Sequence, residues 1–417
     1  MTSDAAPATA FVWAYLPGDT VPVVVGRVDR RADRLLFGYA ASYLRRPDAI
    51  SLYEPELPLA AGTIEPLPGL SAPGCILDAA PDAWGRRVIL NRMYGPGAAD
   101  ELASADLDDL LFLLGAGSDR IGALDFQASP ETYVARSTGR ATLEDLLNAT
   151  QLIESGMPVP GELAEALNAG SSAGGARPKA ILRDGDGSYL AKFSSLDDTY
   201  PVVRGEHLAM HLAGLCGLDV ADVQLERVQG KDVLLVRRFD RNPAGERRML
   251  VSGLTILGLP ATAFGYASYG GLADAVRERF TDPRPTLREL FGRASFNIIS
   301  GNTDDHARNH AAFWDGTMLQ LTPAYDISVM LRSGGEATQA MRLGREDDPY
   351  RFSRLAGLIE RAPVYGLTSA EGREIVNAQL HAVRLHWSDA CDRSGLTELQ
   401  RSLFKSVFPS NYALEGL

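Results

Sequence analysis

Strand signals and helix signals occupy different parts of this chain of 417 residues. Before residue 40, three short runs rich in β-branched and aromatic residues alternate with turn-forming residues, a pattern typical of strands. Two later pairs of strand-like runs flank Asp-Gly-Asp-Gly at 184–187 and Gly-Lys at 230–231, which predicts two hairpins. From residue 272 onward, apolar residues recur at helical spacing. We therefore expect an α+β fold, with a mixed α/β part followed by a mostly helical part.

Composition sets broad limits on function. The chain is 45% hydrophobic and 23% charged, and its net charge is −12, so a free-standing, broadly basic nucleic-acid binder is not expected. Its three cysteines, Cys75, Cys216 and Cys391, are far apart and suggest no disulfide framework. We find no apolar run of transmembrane length and no basic segment before an apolar stretch at the N-terminus. These features predict a soluble, cytoplasmic protein.

The glycine-rich tract GSSAGGARPK at 170–179 is the first candidate functional segment. Small residues allow backbone N–H groups to approach phosphate oxygens closely. The P-loop pattern requires Lys and Ser or Thr directly after the last glycine, but Ala176 and Arg177 follow it here. The tract is therefore not a P-loop, and either a different phosphate loop or a flexible turn remains open.

A lysine within a strand-like run and a glutamate on the next helix form a second pattern. Lys192 lies in LAKF, and Glu206 follows in an amphipathic segment. In kinases, a strand lysine contacts the α- and β-phosphates, and a helix glutamate orients that lysine. A solvated lysine and an exposed glutamate are the simpler alternative.

The segment GNTDDHARNH at 301–310 is the most specific pattern. Asp304 and Asn309 have the D-x-x-x-x-N spacing of a kinase catalytic loop, in which the aspartate accepts the proton of the attacking hydroxyl and the asparagine binds Mg²⁺. Asp326 follows in LTPAYD, in the chain order of a second metal-binding aspartate. Hard oxygen ligands suit Mg²⁺. The order of these motifs favours a kinase.

A zinc hydrolase is the competing interpretation. His306 and His310, and likewise His207 and His211, are four residues apart and could share one helical face. Neither pair forms HExxH, so packed or solvated histidines are the simpler explanation. Cys216 ends an apolar helical segment and is typical of a core residue rather than a nucleophile.

The motifs together resemble the HipA family of serine/threonine kinase toxins. The segments GSSAGGARPK, LAKF, LLVRRFDR, GNTDDHARNH and LTPAYDI occur in the family's order, and AAPDAWGRR and LFGYAASYLRRPDAISL resemble its N-terminal part. The resemblance covers most of the chain. It implies a kinase-like architecture in three parts: a HipA-like N-terminal subdomain (1–125), an α/β nucleotide-loop part (126–240) and a helical catalytic part (241–417).

The resemblance also implies roles for individual residues. Asp304 would be the catalytic base, Asn309 and Asp326 the magnesium ligands, and Glu206 the residue that orients Lys192. The serine that inactivates the enzyme by autophosphorylation would be Ser172, with Ser171 as the alternative, because phosphate there would repel ATP phosphates. The ATP-binding residues would be Gly174, Gly175, Ala176, Arg177, Pro178, Lys179, Lys192, Arg237, Arg238, Phe239, His306, Ala307, Arg308, Asn309, Tyr325 and Asp326.

ATP and Mg²⁺ are the implied cofactors. The implied substrate is a translation component such as an aminoacyl-tRNA synthetase, and the implied partner is a HipB-like helix-turn-helix antitoxin encoded separately, through which any DNA contact would be made. Two alternatives stay open. One is a kinase-like pseudoenzyme acting as a regulatory binding module, and the other is a small-molecule kinase.

Overall fold

The computed structural model describes residues 7–96, 108–136, 141–169, 177–185, 187–332 and 335–417. Contacts divide the chain into two compact units: unit 1 comprises residues 1–197, 227–251 and 313–317, and unit 2 comprises 198–226, 252–312 and 318–417. The three-part division expected from sequence stays a prediction.

The strands are concentrated in the first 252 residues, as the sequence predicts. In chain order they are β1 (Thr9–Ala14), β2 (Val23–Arg31), β3 (Arg34–Tyr39), β4 (Thr63–Ile64), β5 (Leu124–Gln127), β6 (Lys179–Asp184), β7 (Gly187–Phe193), β8 (Val223–Val228), β9 (Lys231–Arg237), β10 (Met249–Ser252), β11 (Ala311–Trp314) and β12 (Leu319–Leu321).

Helices occur throughout the chain and dominate its second half. In chain order they are α1 (Ala41–Leu44), α2 (Gly74–Leu77), α3 (Ala83–Tyr94), α4 (Asp109–Gly115), α5 (Leu143–Glu154), α6 (Gly161–Ala169), α7 (Val202–Leu215), α8 (Gly253–Ile256), α9 (Tyr269–Arg279), α10 (Pro283–Ser300), α11 (Leu355–Glu360), α12 (Ser369–Arg393), α13 (Glu398–Lys405) and α14 (Asn411–Leu414). Within the described ranges, every helix is too short or too polar to traverse a lipid bilayer. The predicted α+β class is confirmed.

Two sheets carry most of the strands. The first has the strand order β4-β3-β2-β1-β5, and the second has the order β6-β7-β9-β8. The first predicted hairpin is present as β6 and β7, whose register runs from Lys179 opposite Lys192 to Asp184 opposite Gly187. The second sheet therefore carries the strand lysine of the predicted nucleotide site.

Helices α3, α5 and α6 bury their apolar side chains against the second sheet. Trp84 of α3 and Leu147 of α5 pack in one cluster with Phe193 of β7. Asp82 is the N-cap of α3, because its side chain accepts a hydrogen bond from the backbone N–H of Gly85 at 2.7 Å. This core packs against the strands that carry the candidate nucleotide-binding residues.

Unit 2 is built around the long helices α10 and α12. Helix α10 is buried over most of its length, and it ends at Gly301, whose φ of 71° lies in the left-handed region. A glycine adopts this conformation at little cost, so the chain turns sharply at Gly301 into the loop that begins at Asn302. The end of α10 therefore sets where the GNTDDHARNH segment starts.

One helix prediction is wrong in extent. Apolar spacing predicts a helix over residues 349–359, but α11 begins only at Leu355. Backbone N–H groups of Gln339 and Leu343 donate to the carbonyls of Arg351 and Tyr350, at 2.7 Å and 2.9 Å, and thereby pair this stretch with an extended segment. Tertiary pairing outweighs the local helical pattern here.

Acid should destabilise unit 2 through His207 on α7. Its ring is buried, its Nδ1 lies 2.9 Å from Ser394 Oγ, and burial, together with neighbouring His211, lowers its pKa from 6.5 to about 4. The unfolded chain binds the proton at the higher pKa, so stability is full above pH 6.5 and is lost as the pH falls toward 4. We expect the free energy of unfolding to drop by roughly 2–3 kcal/mol between about pH 7.5 and pH 4.5, as measured by urea denaturation.

His207→Gln should remove most of this acid-dependent loss. His381→Gln serves as the control because it removes an exposed histidine of α12 and should leave the loss in place. If the stability of His207→Gln fell as steeply with acid as that of the wild type, His207 would not be the group responsible.

Candidate active site

The loop from Asn302 to His310 presents Asp304 to solvent. The carbonyl of Asp304 accepts the backbone N–H of His306 at 2.9 Å and the side-chain Nδ2 of Asn309 at 3.2 Å. The backbone N–H of Asn309 donates to the carbonyl of His306 at 2.8 Å, within the 3-10 turn Ala307–Asn309. The backbone of Asp304 therefore shapes the loop, while its carboxylate stays exposed.

Asp326 lies close enough to Asp304 for their charges to interact. Although the residue is exposed, its carboxylate is half-buried by the surrounding loop, and this partial burial raises the pKa of Asp304. The neighbouring His306 lowers it, and the negative charges of Asp326 and Asp305 raise it, so the net direction is upward. Asp326 has a φ of 60°, an uncommon conformation for a residue with a side chain. Tyr325, just before it, donates its hydroxyl to the carbonyl of Arg308 at 2.8 Å. This contact ties the Asp326 segment to the loop.

The two adjacent aspartates of the motif have different environments. Asp305 is buried, with its carboxylate bonded to the hydroxyl of Tyr269 and, at 3.0 Å, to Nε2 of His310. Asp304 is exposed. Of the two, Asp304 is the one that an incoming hydroxyl can reach, which supports its predicted role as the base.

Gly253 contacts the C-terminal end of the loop. The backbone N–H of Gly253, the first residue of α8, donates to the carbonyl of His310 at 2.7 Å. A Cβ on residue 253 would lie 2.5 Å from the carbonyl oxygen of Ala307, so only glycine fits without a shift. Sequence reasoning missed Gly253, Tyr269 and Asp305, because a lone Gly or Tyr carries no motif and Asp305 stands beside a stronger candidate.

In unit 1, the two candidate lysines lie opposite each other on β6 and β7. Directly opposed residues project from the same face of a sheet. Lys179 is only 3% exposed, and its Nζ lies 2.5 Å from Oδ2 of Asp82. Burial raises the pKa of Asp82 even though the Lys179 ammonium acts in the opposite direction. Lys179 is thus bound to the N-cap of α3.

The predicted adenine segment, residues 237–239, lies at the end of β9. The backbone N–H of Arg238 donates to the carbonyl of Ser188 at 2.8 Å, and the ring of Phe239 packs edge-on against Phe313 at 6.0 Å. The Arg238 guanidinium is buried and contacts Asp240 at 2.6 Å and Asp119 at 3.0 Å. This side chain therefore anchors the segment, and the role of the segment in binding adenine stays a prediction.

The remaining candidates are placed as follows. Glu206 is buried on α7 of unit 2, whereas Lys192 belongs to unit 1. Arg177 and Pro178 lead into β6, and the carbonyl of Pro178 accepts the backbone N–H of Phe193 at 3.0 Å. The predicted phosphate-loop and autophosphorylation residues Gly174, Gly175, Ala176, Ser171 and Ser172 lie outside the described residues.

The donor set of the loop fits Mg²⁺. Asp326 supplies a carboxylate, and Asn309 uses its Nδ2 on the carbonyl of Asp304, which directs its amide oxygen the other way. Both are hard oxygen ligands. The ring nitrogen Nδ1 of His306 is buried without a hydrogen-bond partner among the described residues. This nitrogen could therefore form a hydrogen bond to a ligand bound beside Asp304.

Two family models match this α+β chain. The HipA-like C-terminal domain matches residues 171–387, and the HipA N-terminal domain matches residues 21–127. Because the first match alone covers more than half of the 417 residues, the chain belongs to the HipA family.

Individual relatives agree with this assignment. The chain is 27% identical over 272 residues to "Putative kinase Y4mE" of Sinorhizobium fredii, covering 59% of this chain and 64% of that protein. It is 28% identical over 182 residues to the serine/threonine-protein kinase toxin HipA of Shewanella oneidensis, covering 39% of this chain and 41% of that protein. The chain thus matches less than two thirds of the length of either curated relative.

A solved structure shows the same fold over nearly the whole chain. HipA of Shewanella oneidensis MR-1, from a complex of HipA, HipB and its operator DNA, superposes with a TM-score of 0.66 at 19% identity and 93% coverage of both chains. The predicted HipA-like fold is therefore confirmed.

Proposed function

We propose that this chain is an ATP- and Mg²⁺-dependent protein serine/threonine kinase. The observation that carries the proposal is the loop geometry of unit 2, in which an exposed Asp304 lies within electrostatic reach of Asp326 and is tied through its backbone to Asn309. Kinase catalytic loops combine a base with two magnesium ligands in this way.

Each loop residue has a specific task in this proposal. Asp304 accepts the proton of the attacking hydroxyl. Asn309 and Asp326 hold Mg²⁺ through their side-chain oxygens. A bound Mg²⁺ would offset the negative charge that develops on the phosphate oxygens of ATP.

Unit 1 supplies the nucleotide-binding residues in this proposal. Lys192 contacts the phosphates, and residues 174–179 form the phosphate loop. The backbone of residues 237–239 binds adenine, held by the buried Arg238. Glu206 orients Lys192.

The biological setting follows from the relatives. We propose that the chain is the toxin of a toxin–antitoxin pair, that it phosphorylates a translation component such as an aminoacyl-tRNA synthetase, and that autophosphorylation of Ser172, or alternatively Ser171, switches it off. A relative with this fold was solved with HipB and operator DNA, which supports a separately encoded HipB-like partner that makes the DNA contacts.

Phosphate transfer should require both Mg²⁺ and Asp326. The purified chain, incubated with γ-labelled ATP and a panel of aminoacyl-tRNA synthetases, should label a protein serine or threonine. EDTA should abolish this transfer, and Asp326→Asn should lower its rate by at least about 10²-fold, because an amide binds Mg²⁺ more weakly than a carboxylate. Mass spectrometry should find phosphate on residue 171 or 172.

Other outcomes separate the alternatives. Nucleotide binding without any transfer would identify a pseudoenzyme, and labelling of a metabolite instead of a protein would identify a small-molecule kinase. Label transfer that is unchanged in Asp326→Asn would remove Asp326 from the metal site.

A further inference from the structure

A buried polar triad lies directly behind the exposed carboxylate of Asp304. Asp305, Tyr269 and His310 are 2%, 0% and 4% exposed. One carboxylate oxygen of Asp305 accepts the hydroxyl of Tyr269, and the other lies 3.0 Å from Nε2 of His310. The rings of Tyr269 and His310 pack edge-on at 5.2 Å. Each of the three side chains therefore touches the other two.

The triad connects the middle and the end of the loop to the first residue of α9. Asp305 follows Asp304, and His310 follows Asn309, so the triad holds the positions next to the proposed base and the proposed metal ligand. Tyr269 is the first residue of α9, and its backbone N–H donates to the carbonyl of Arg342 at 2.9 Å. The loop is thus fastened to a helix start that is itself held in place.

Asn302 fastens the beginning of the same loop to α10. Its Nδ2 donates to Oδ1 of Asn297 at 2.9 Å, and Nδ2 of Asn297 reaches the hydroxyl of Tyr269 at 3.5 Å. The polar contacts behind the loop therefore extend from α10 through Tyr269 to Asp305. A carboxylate buried this deeply is costly unless it keeps its donors, so loss of one donor favours movement of the loop.

We propose that Asp305, Tyr269 and His310 are positioning residues that set the place of Asp304 and Asn309 for phosphoryl transfer. The proposal rests on the kinase function proposed above. None of the three touches the reacting atoms, because all three are buried behind the loop. Their effect is on geometry, and a displacement of about 1 Å at a reacting group can cost about 10²-fold in rate.

Two matched tyrosine variants test this role. Tyr269→Phe removes the hydroxyl that donates to Asp305, whereas Tyr365→Phe removes an equally buried hydroxyl that donates to the carbonyl of Leu343 at 2.9 Å. We expect kcat to fall by about 10- to 100-fold in Tyr269→Phe, with KM for ATP changed by less than about 3-fold. Tyr365→Phe should keep kcat within about 2-fold of wild type even where both variants melt at a lower temperature.

Substitution of Asp305 provides a rescue test. Asp305→Ala should lower kcat by at least as much as Tyr269→Phe. Asp305→Asn should recover most of that loss, because its amide oxygen can accept from Tyr269 and its amide nitrogen can donate to His310 in the other ring tautomer. If the alanine variant does not fold, the asparagine and phenylalanine variants still decide the question.

The outcomes distinguish this proposal from the kinase proposal. A wild-type chain without phosphoryl transfer would refute the kinase function itself. An active wild type, with Tyr269→Phe and Tyr365→Phe equal in kcat, would refute the triad alone. A change confined to KM for ATP would also refute it, because the triad would then act on nucleotide binding rather than on the place of the base.

Discussion

Replacement of Asp304 by alanine should lower the rate of phosphate transfer by about 10²- to 10⁴-fold, the usual contribution of a general base. The effect should be chemical rather than structural. The hydrogen bonds that shape the loop come from the backbone carbonyl of Asp304, which the alanine variant keeps, and the lost carboxylate is exposed. Single-turnover transfer from labelled ATP measures the rate, and circular dichroism and thermal melting check the fold.

Asp347→Ala is the matched control for this experiment. Asp347 is another exposed aspartate of unit 2, so its loss removes one negative charge of the same kind at a residue outside the loop. The control should transfer phosphate at the wild-type rate. Activity retained in Asp304→Ala would show that a different group accepts the proton.

The largest loss of stability should follow from Asp240→Ala in unit 1. Asp240 is buried and accepts hydrogen bonds from Arg238 at 2.6 Å, from Arg241 at 3.2 Å and from the backbone N–H of Gly122 at 2.7 Å. Burial alone would raise the pKa of Asp240, but the two guanidinium groups hold it well below its usual range. Removal of the carboxylate leaves the buried guanidinium groups of Arg238 and Arg241 without one of their negatively charged partners. This should lower the free energy of unfolding by about 3–5 kcal/mol.

Chemical denaturation of the full chain measures this loss. Asp48→Ala is the control, because Asp48 forms an exposed pair with Arg46 at 2.7 Å and such pairs contribute little. We expect the control to unfold at the wild-type denaturant concentration. An unchanged midpoint in Asp240→Ala would show that Asp119 alone compensates both arginines.

Because Arg238 follows the last residue of β9, the affinity for ATP should fall together with stability if residues 237–239 bind adenine.

The fold class could be predicted because its signals are local. Strand-like runs before residue 40 became β1, β2 and β3, and the hairpin turn at 184–187 joins β6 and β7. The helical spacing after residue 272 became α9, α10, α12 and α13. The helix expected over 349–359 was wrong at its start, because pairing with another segment holds Tyr350 and Arg351 extended.

The motif order also sufficed to recognise the HipA family, which the family models show independently. The roles of Asp304, Asn309 and Asp326 remain predictions. The spacing of Asp304 and Asn309 expresses a local constraint, since one short loop carries both residues and its own hydrogen bonds connect them. A constraint between residues this close in the chain can be predicted from the sequence.

Sequence alone determined the class of fold, the family and the candidate loop, because each depends on residues close together in the chain. Only the tertiary structure decided which of two adjacent aspartates is exposed, that Lys179 is bound to Asp82 97 residues away, and that Tyr269 lies behind Asp305. These facts depend on burial and on contacts between distant segments. No local pattern reports them, because the free energy of a buried charge is set by the partners that folding brings to it.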